Sequence, residues 1–175
     1  MSFFTRLCKR IYQKQKELSG GLDQKKMEFM LKADDLKRQH NFQEEVDDLL
    51  QNEDNLDTNN SSNYTYSSLQ NAIASADGNT ATIISAPQSA SEAPDEAMVS
   101  ADYDTGESGS VTFFITRDSG STWTEVNADE KADISIQPSG TTMKMKAELT
   151  GDAKLYGWSL MWNSSATAAP SDLIE

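Results

Sequence analysis

Residues 141–162 read TTMKMKAELTGDAKLYGWSLMW. Apolar and polar residues alternate over 141–150, which is the period of a strand with one face buried and the other in solvent. The dipeptide Gly151-Asp152 predicts a turn. After the turn the alternation continues, and one face is formed by Tyr156, Trp158, Leu160 and Trp162. The segment therefore predicts two antiparallel strands, the second of which carries an aromatic face.

The period of two begins upstream, near residue 80. Polar turn segments separate further candidate strands over 81–85, 97–103, 111–116, 122–126 and 133–137. In the last of these, Ile134 and Ile136 are expected to point inward. Seven short strands at this spacing predict an antiparallel β-sandwich or jelly-roll-like domain over 81–164, followed by a C-terminal tail over 165–175.

The N-terminal third has a helical pattern instead. A first helix is expected over 3–18, where apolar residues recur every three or four positions before Ser19-Gly20-Gly21 ends it. A second is expected over 22–50, which contains no Pro or Gly. The fold class is thus α+β in segregated parts, with a helical anchor or oligomerisation segment over 1–50 and a polar linker, rich in Asn and Ser, over 51–80.

Charge is distributed unevenly along the chain, whose formal net charge is -13. Residues 1–32 carry eight basic and three acidic residues, whereas residues 33–57 carry two basic and nine acidic ones. The acidic remainder argues against nucleic acid as the main ligand, since phosphates would be repelled. No run approaches the roughly 20 apolar residues of a membrane span, and the single cysteine, Cys8, excludes an internal disulfide.

The sharpest local pattern is TRDSGSTW at 116–123. It resembles the Asp-box hairpin of sialidases, in which Asp118 would accept backbone N–H bonds, Gly120 would take a positive φ and Trp123 would pack underneath. A propeller would need several copies, and this chain has one. The pattern is therefore interpreted as a structural hairpin and not as a sialidase site.

A second resemblance covers residues 111–162. The runs FFITRDSGSTWTEV at 113–126, QPSGT at 137–141 and YGWSLMW at 156–162 look like the C-terminal β module of tailed-phage virion proteins. That module carries an SRDGGTTW hairpin, a QPSGT turn and a closing GxSLxW strand in this order. The chain departs from it at Ser119 and in a shorter segment before Gln137. The resemblance implies a fibre, head-decoration or neck and tail protein.

No catalytic or metal site is predicted, and no cofactor is expected. His40 is the only histidine and has no Ser or Cys constellation beside it. The start of a calcium loop at 102–107 has Phe113 where the twelfth-position glutamate would stand. Glycan contact is an alternative to core packing for three aromatic residues, Tyr156, Trp158 and Trp162.

The expected function is structural: a virion component, made in the bacterial host cytoplasm, that is anchored to capsid, neck or tail by its N-terminal helices and forms a homo-oligomer, with a trimer favoured. The alternative is a glycan- or receptor-binding fibre module. For the first helix, a membrane surface, nucleic acid and packing on the chain's own domain stay open as alternatives to an assembly contact, with a membrane unlikely. For the second helix, the alternative is packing on its own protein. The predicted anchor residues are Phe3, Phe4, Leu7, Ile11, Tyr12, Leu22, Phe29, Leu36, Phe42, Val46 and Leu49.

Overall fold

A computed structural model describes residues 21–164, with side chains for residues 24–163. The predicted helix over 3–18 and the predicted tail over 165–175 lie outside these residues. The elements are α1 (Gly21–His40), β1 (Glu44–Asp48), β2 (Tyr64–Ser67), β3 (Ala72–Ser75), β4 (Ala81–Ile84), β5 (Gln88–Ser89), β6 (Pro94–Asp104), β7 (Ser110–Thr116), β8 (Thr124–Val126), β9 (Ala132–Asp133), β10 (Thr142–Thr150) and β11 (Lys154–Ser164).

The strands form two antiparallel sheets. The larger sheet has the order β2-β3-β11-β6-β9, and β1 also pairs with β11. The smaller sheet has the order β4-β10-β7-β8, with β5 paired to β10. β11 is the centre of the larger sheet, because it pairs with β6 along its whole length and with β1 and β3 on its other edge.

The core lies between the two sheets, as in a β-sandwich. The smaller sheet contributes the apolar positions of β10, and their alternation with lysines and Glu148 agrees with the predicted half-buried strand. The larger sheet contributes aromatic and aliphatic side chains of β11. The side chains of these two strands that belong to this core are Met143, Met145, Ala147, Leu149, Leu155, Trp158, Leu160 and Trp162.

The predicted helix over 22–50 is wrong beyond His40. Asn41 adopts a left-handed φ of 56°, and its N–H donates to the carbonyl of Arg38 while the N–H of Phe42 donates to that of Lys37. This is a Schellman C-cap, which ends the helix with satisfied carbonyls. The chain then turns into β1, which pairs with β11 from Glu44 opposite Trp162 onward.

Residues 51–80 are not a linker outside the domain but part of the sandwich. They contain the β2–β3 hairpin, and β3 pairs with β11 through Ile73 opposite Leu155. Ile73 is fully buried, and Tyr64 and Tyr66 pack against the core. The hairpin was not predicted from the sequence, because its apolar residues are few and widely spaced among polar ones.

Two predicted side-chain directions are wrong. A β-bulge between Leu155 and Gly157 shifts the register with β6, so Leu155 joins the core and Tyr156 leaves the face that holds Trp158. Strand β9 has two residues, and the chain then turns at Gln137, whose N–H donates to the carbonyl of Ile134. Ile134 is buried, but Ile136 is 84% exposed.

Helix α1 packs on the outer face of the larger sheet. Phe29 lies over Gly157, where an added Cβ would stand 3.6 Å from the Phe29 ring. Near the end of the helix, Phe42 packs with Met98 and Met161, and Leu36 covers this cluster. The buried face of α1 is thus covered by the chain's own sheet. This agrees with the alternative in which the second predicted helix packs on its own protein.

Candidate functional site

The segment 116–123 forms a compact turn between β7 and β8, held by two side chains. Thr116 Oγ1 accepts hydrogen bonds from the N–H groups of Asp118 and Gly120, at 3.2 and 3.1 Å. Asp118 Oδ1 accepts from the N–H of Thr122 at 2.8 Å. Gly120 has a φ of 99°, and an added Cβ there would lie 3.3 Å from the Trp123 ring. These residues shape the turn itself.

The Asp118 carboxylate is committed to this turn. Burial raises its pKa, but hydrogen bonds from Thr116 and Thr122 lower it by more, so that the pKa lies below its ordinary value. An ionised carboxylate whose accepting oxygen is already bonded within the turn is a structural cap and a weak candidate for proton transfer.

Arg117 joins this turn to a distant part of the chain. Its side chain is 6% exposed and ion-pairs with Asp95 at 3.0 Å. The guanidinium also donates to backbone carbonyls in two other segments, namely those of Pro94, Ser135, Gln137 and Pro138. A planar group with five N–H donors suits this set of converging acceptors.

Gln137 makes the reciprocal connection from the QPSGT segment. Its Oε1 accepts from the N–H of Arg117 at 2.9 Å, and its Nε2 donates to the carbonyl of Ile115 at 2.9 Å. Gly140 lies so close to the hairpin that an added Cβ would stand 2.4 Å from the carbonyl oxygen of Arg117. The hairpin and the QPSGT turn therefore form one buried polar unit, here called the Arg117 unit, made of 116–123 and 135–141.

The closing strand supplies the third part of the resemblance, and its residues also have structural roles. Gly157 allows the carbonyl of Asp48 to approach within 3.0 Å of where a Cβ would stand. Ser159 is fully buried, and its hydroxyl donates to Glu45 Oε1 at 3.2 Å. The strand also reaches the Arg117 unit, because Ser164 is the register partner of Pro94, whose carbonyl accepts from Arg117.

The aromatic residues considered for glycan contact are not a surface platform. Trp158 is fully buried and Trp162 is 3% exposed, both in the core cluster. Tyr156 is partly exposed but lies off their face because of the bulge. These three side chains cannot present a common surface to a sugar.

A different aromatic group, which the sequence reasoning missed, lies on the outer face of the smaller sheet. Lys146 Nζ stands 3.9 Å from the centroid of Phe114 and 5.5 Å from that of Trp123. Lys146 and Phe114 are register partners on β10 and β7. The alternation of strand β7 could have revealed this group. Phe113 points inward, so the next residue, Phe114, must point outward.

The predicted anchor residues fall into three groups. Phe29 and Phe42 are each 5% exposed, so they offer little surface to a partner. Three others are partly exposed: Leu36, Val46 and Leu49. Leu22 lies in α1 with no described side chain, and the remaining five lie outside the described residues: Phe3, Phe4, Leu7, Ile11 and Tyr12.

Carboxylates at the calcium-like loop, 102–107, accept hydrogen bonds from backbone N–H groups of the same region. Asp104 Oδ1 accepts from the N–H of Gly106 at 2.9 Å, and Asp152 accepts from the N–H groups of Glu107 and Ser108. Within residues 21–164, no three His, Cys, Asp or Glu side chains are placed to hold a metal ion. Over the same range, no helix has the length and apolar character needed to cross a membrane.

One surface cavity lies beside α1 and another lies beside the end of β1. One, of about 310 Å³, is lined by the helix and by Ala101 and Asp102 of β6. The other, of about 400 Å³, is lined by Asp47, Asp48 and the loop that follows β1. Sequence reasoning missed the second cavity because it placed both aspartates in a helix.

No protein-family model matches the chain, and a search of curated proteins gives no significant match.

Proposed function

We propose that this chain is a non-enzymatic structural component of a tailed-phage particle, in which the sandwich projects and residues N-terminal to it attach to capsid, neck or tail. The observation that carries the proposal is the Arg117 unit. The residues that define the resemblance to virion β modules are those that join β6, the β7–β8 hairpin and the turn before β10. A module with a mechanical role would need residues of this kind, because they hold its strands and turns together.

The attachment role is assigned to the first 20 residues more than to α1. Residues 1–20 carry five basic residues and one acidic residue together with the apolar stripe of 3–12. The buried face of α1, in contrast, is covered by the chain's own sheet, because Phe29 packs over Gly157. A basic amphipathic segment on an acidic domain suits an acidic groove in a larger assembly. The jelly-roll-like connectivity, the trimeric state, the virion location and synthesis in the host cytoplasm belong to the same proposal.

The proposal is tested on particles purified from cells that carry the encoding genome. Quantitative mass spectrometry should find the chain at a fixed ratio to the major particle protein. A chain lacking residues 1–20 should fold, with the β-sheet signal of its circular dichroism spectrum retained, but should not copurify with particles. Absence of the full chain from particles contradicts the proposed function, whereas incorporation of the shortened chain contradicts only the assignment of the attachment segment.

Glycan recognition is the second candidate, and the outer face of the smaller sheet is the observation that favours it. Phe114 and Trp123 present aromatic surface beside Lys146, a combination that suits stacking against a sugar ring. A glycan array with wild type and with Phe114→Ser tests this. Binding that is lost in the variant supports recognition at this face, and no binding by the wild type rejects it.

A further inference from the structure

The cavity beside the end of β1 has a wall rich in side-chain oxygens. It has a volume of about 400 Å³, and apart from Leu49 every side chain that lines it carries an oxygen. The oxygen-bearing residues are Asp47, Asp48, Gln51, Asn52, Asp54 and Asn55. Carboxylate and amide oxygens are the side-chain ligands of hard cations. Clustered acids are common on an acidic surface, so a binding site is distinguished by a carboxylate that the protein itself leaves without donors.

Asp48 has such an oxygen. Its register partner is the core residue Trp158, so its side chain lies on the inner face of the larger sheet, whereas Asp47, opposite Ser159, lies on the outer face. Asp48 is 5% exposed. Its Oδ1 accepts from the N–H of Leu50 at 2.7 Å, but no group of the described residues hydrogen-bonds its buried Oδ2. A buried acceptor without a donor is costly, so this oxygen indicates a positively charged ligand.

Asp54 supplies a second carboxylate from the rim of the same cavity. It is exposed, and its negative charge acts on Asp48. Asn52 holds it in place, because Asn52 Nδ2 donates to Asp54 Oδ2 at 2.7 Å and the Asp54 N–H donates to Asn52 Oδ1 at 3.0 Å. The Asn55 side chain also faces Asp48. The ammonium of Lys26 acts on Asp48 from α1, but a single ammonium cannot neutralise both carboxylates.

Two tyrosines of β2 fix the loop that carries these side chains. Tyr66 Oη donates to the carbonyl of Leu50 at 3.0 Å, and Tyr64 Oη donates to Glu53 Oε1 at 2.8 Å. Glu53 is therefore engaged by a tyrosine and does not line the cavity. A loop that is held in place by the protein loses less conformational freedom when its oxygens bind a ligand.

We propose that this cavity binds Ca²⁺ through side-chain oxygens of four residues, with water completing the coordination shell. The four residues are Asp48, Asn52, Asp54 and Asn55. Ca²⁺ suits them better than Mg²⁺, because Ca²⁺ accepts about six to eight oxygens in flexible geometry, whereas Mg²⁺ requires a near-ideal octahedron and keeps several waters. Within residues 21–164 no three acidic side chains converge, so the expected Kd is about 0.1–1 mM, as in extracellular calcium modules. Millimolar Ca²⁺ would then join the loop to the core strand and stabilise the folded chain.

The test is a titration of the ¹⁵N-labelled full chain with calcium chloride at constant ionic strength. The amide signals of 47–55 should shift and saturate with a Kd of about 0.1–1 mM, and magnesium chloride at the same concentrations should shift them less. Asp48→Asn should weaken the Kd at least about tenfold, because the site loses one ligand charge. Asp54→Asn should weaken it as well, and this change affects only an exposed side chain, so it decides the outcome if Asp48→Asn does not fold.

Asp104→Asn is the matched control. It makes the same charge change in the calcium-like loop, where Asp104 Oδ1 already accepts from the N–H of Gly106, and it should leave the Kd unchanged. Amides of 47–55 that show no saturable shift up to about 10 mM Ca²⁺, roughly ten times the weakest expected Kd, overturn the proposal. Shifts that persist in both cavity variants, or that lie at 102–107 and disappear with Asp104→Asn, also overturn it, since the cation then binds elsewhere.

Discussion

Replacing Arg117 with methionine removes the guanidinium from the centre of the Arg117 unit while keeping a long apolar stem. Arg117 donates to the carbonyls of Pro94, Ser135, Gln137 and Pro138 and to the carboxylate of Asp95. The four carbonyls would lose a charged donor in a site where the side chain is 6% exposed.

The expected cost follows from burial. Asp95 is 49% exposed, so its ion pair is screened and contributes little. Leaving buried acceptors unsatisfied costs about 1–3 kcal/mol each, and water that reaches the outermost carbonyls reduces the sum. A loss of about 4 kcal/mol is therefore expected, against a total stability of about 5–15 kcal/mol.

Urea unfolding followed by tryptophan fluorescence measures this loss, because Trp158 and Trp162 are buried in the core. With a denaturant slope of about 2 kcal/mol per molar, the midpoint should fall by about 2 M. Lys131→Met is the control, since its ion pair with Glu96 is 41% exposed on both sides, and it should change the stability by less than about 0.5 kcal/mol. A loss below about 1 kcal/mol for Arg117→Met would refute the reasoning, because one unsatisfied buried acceptor alone is expected to cost at least that much.

Three further predictions test other contacts of the fold. Gly140→Ala should destabilise by about 2–3 kcal/mol in the same urea assay, because its Cβ would stand 2.4 Å from the carbonyl oxygen of Arg117; a neutral effect would mean that the turn is not tightly packed. Phe29→Ala should cost about 3 kcal/mol and Leu31→Ala less than about 0.5 kcal/mol, since they are 5% and 44% exposed; equal effects would contradict packing of α1 on the sheet. Burial raises the folded-state pKa of Asp47 above 3.8, so its ionisation opposes folding as the pH rises through that raised pKa. The free energy of unfolding of Asp47→Asn relative to wild type should therefore increase from pH 4 to pH 7 in urea titrations, and a decrease would reverse the sign of the argument.

Much of the sandwich could be predicted from local alternation, and the rest depends on tertiary pairing. β10 shows its period in four apolar positions, so its burial pattern followed directly. β1 reads EEVDD and has one apolar residue, and its strand conformation comes from pairing with β11. Helix propensity is a weak preference that such pairing overrides. The left-handed φ of Asn41, which ends α1, also had no strong signal in a segment without glycine.

The same division holds for the site. The turn chemistry of Asp118 and Gly120 is local, so the sequence pattern was sufficient to predict it. The burial of Arg117 depends on carbonyls 18 to 23 residues away, and no local pattern encodes that distance. The direction of Tyr156 depends on a bulge defined by the register with β6, which alternation alone cannot reveal.

The most direct test of the central claim is a density map of purified particles from cells that carry the encoding genome. The proposed function predicts a projecting density into which the two sheets of residues 44–164 fit, in several symmetry-related copies, with residues 1–20 held in a groove of a neighbouring particle protein. A map that accounts for all particle density without this chain, together with its absence from the particle by mass spectrometry, would contradict the claim.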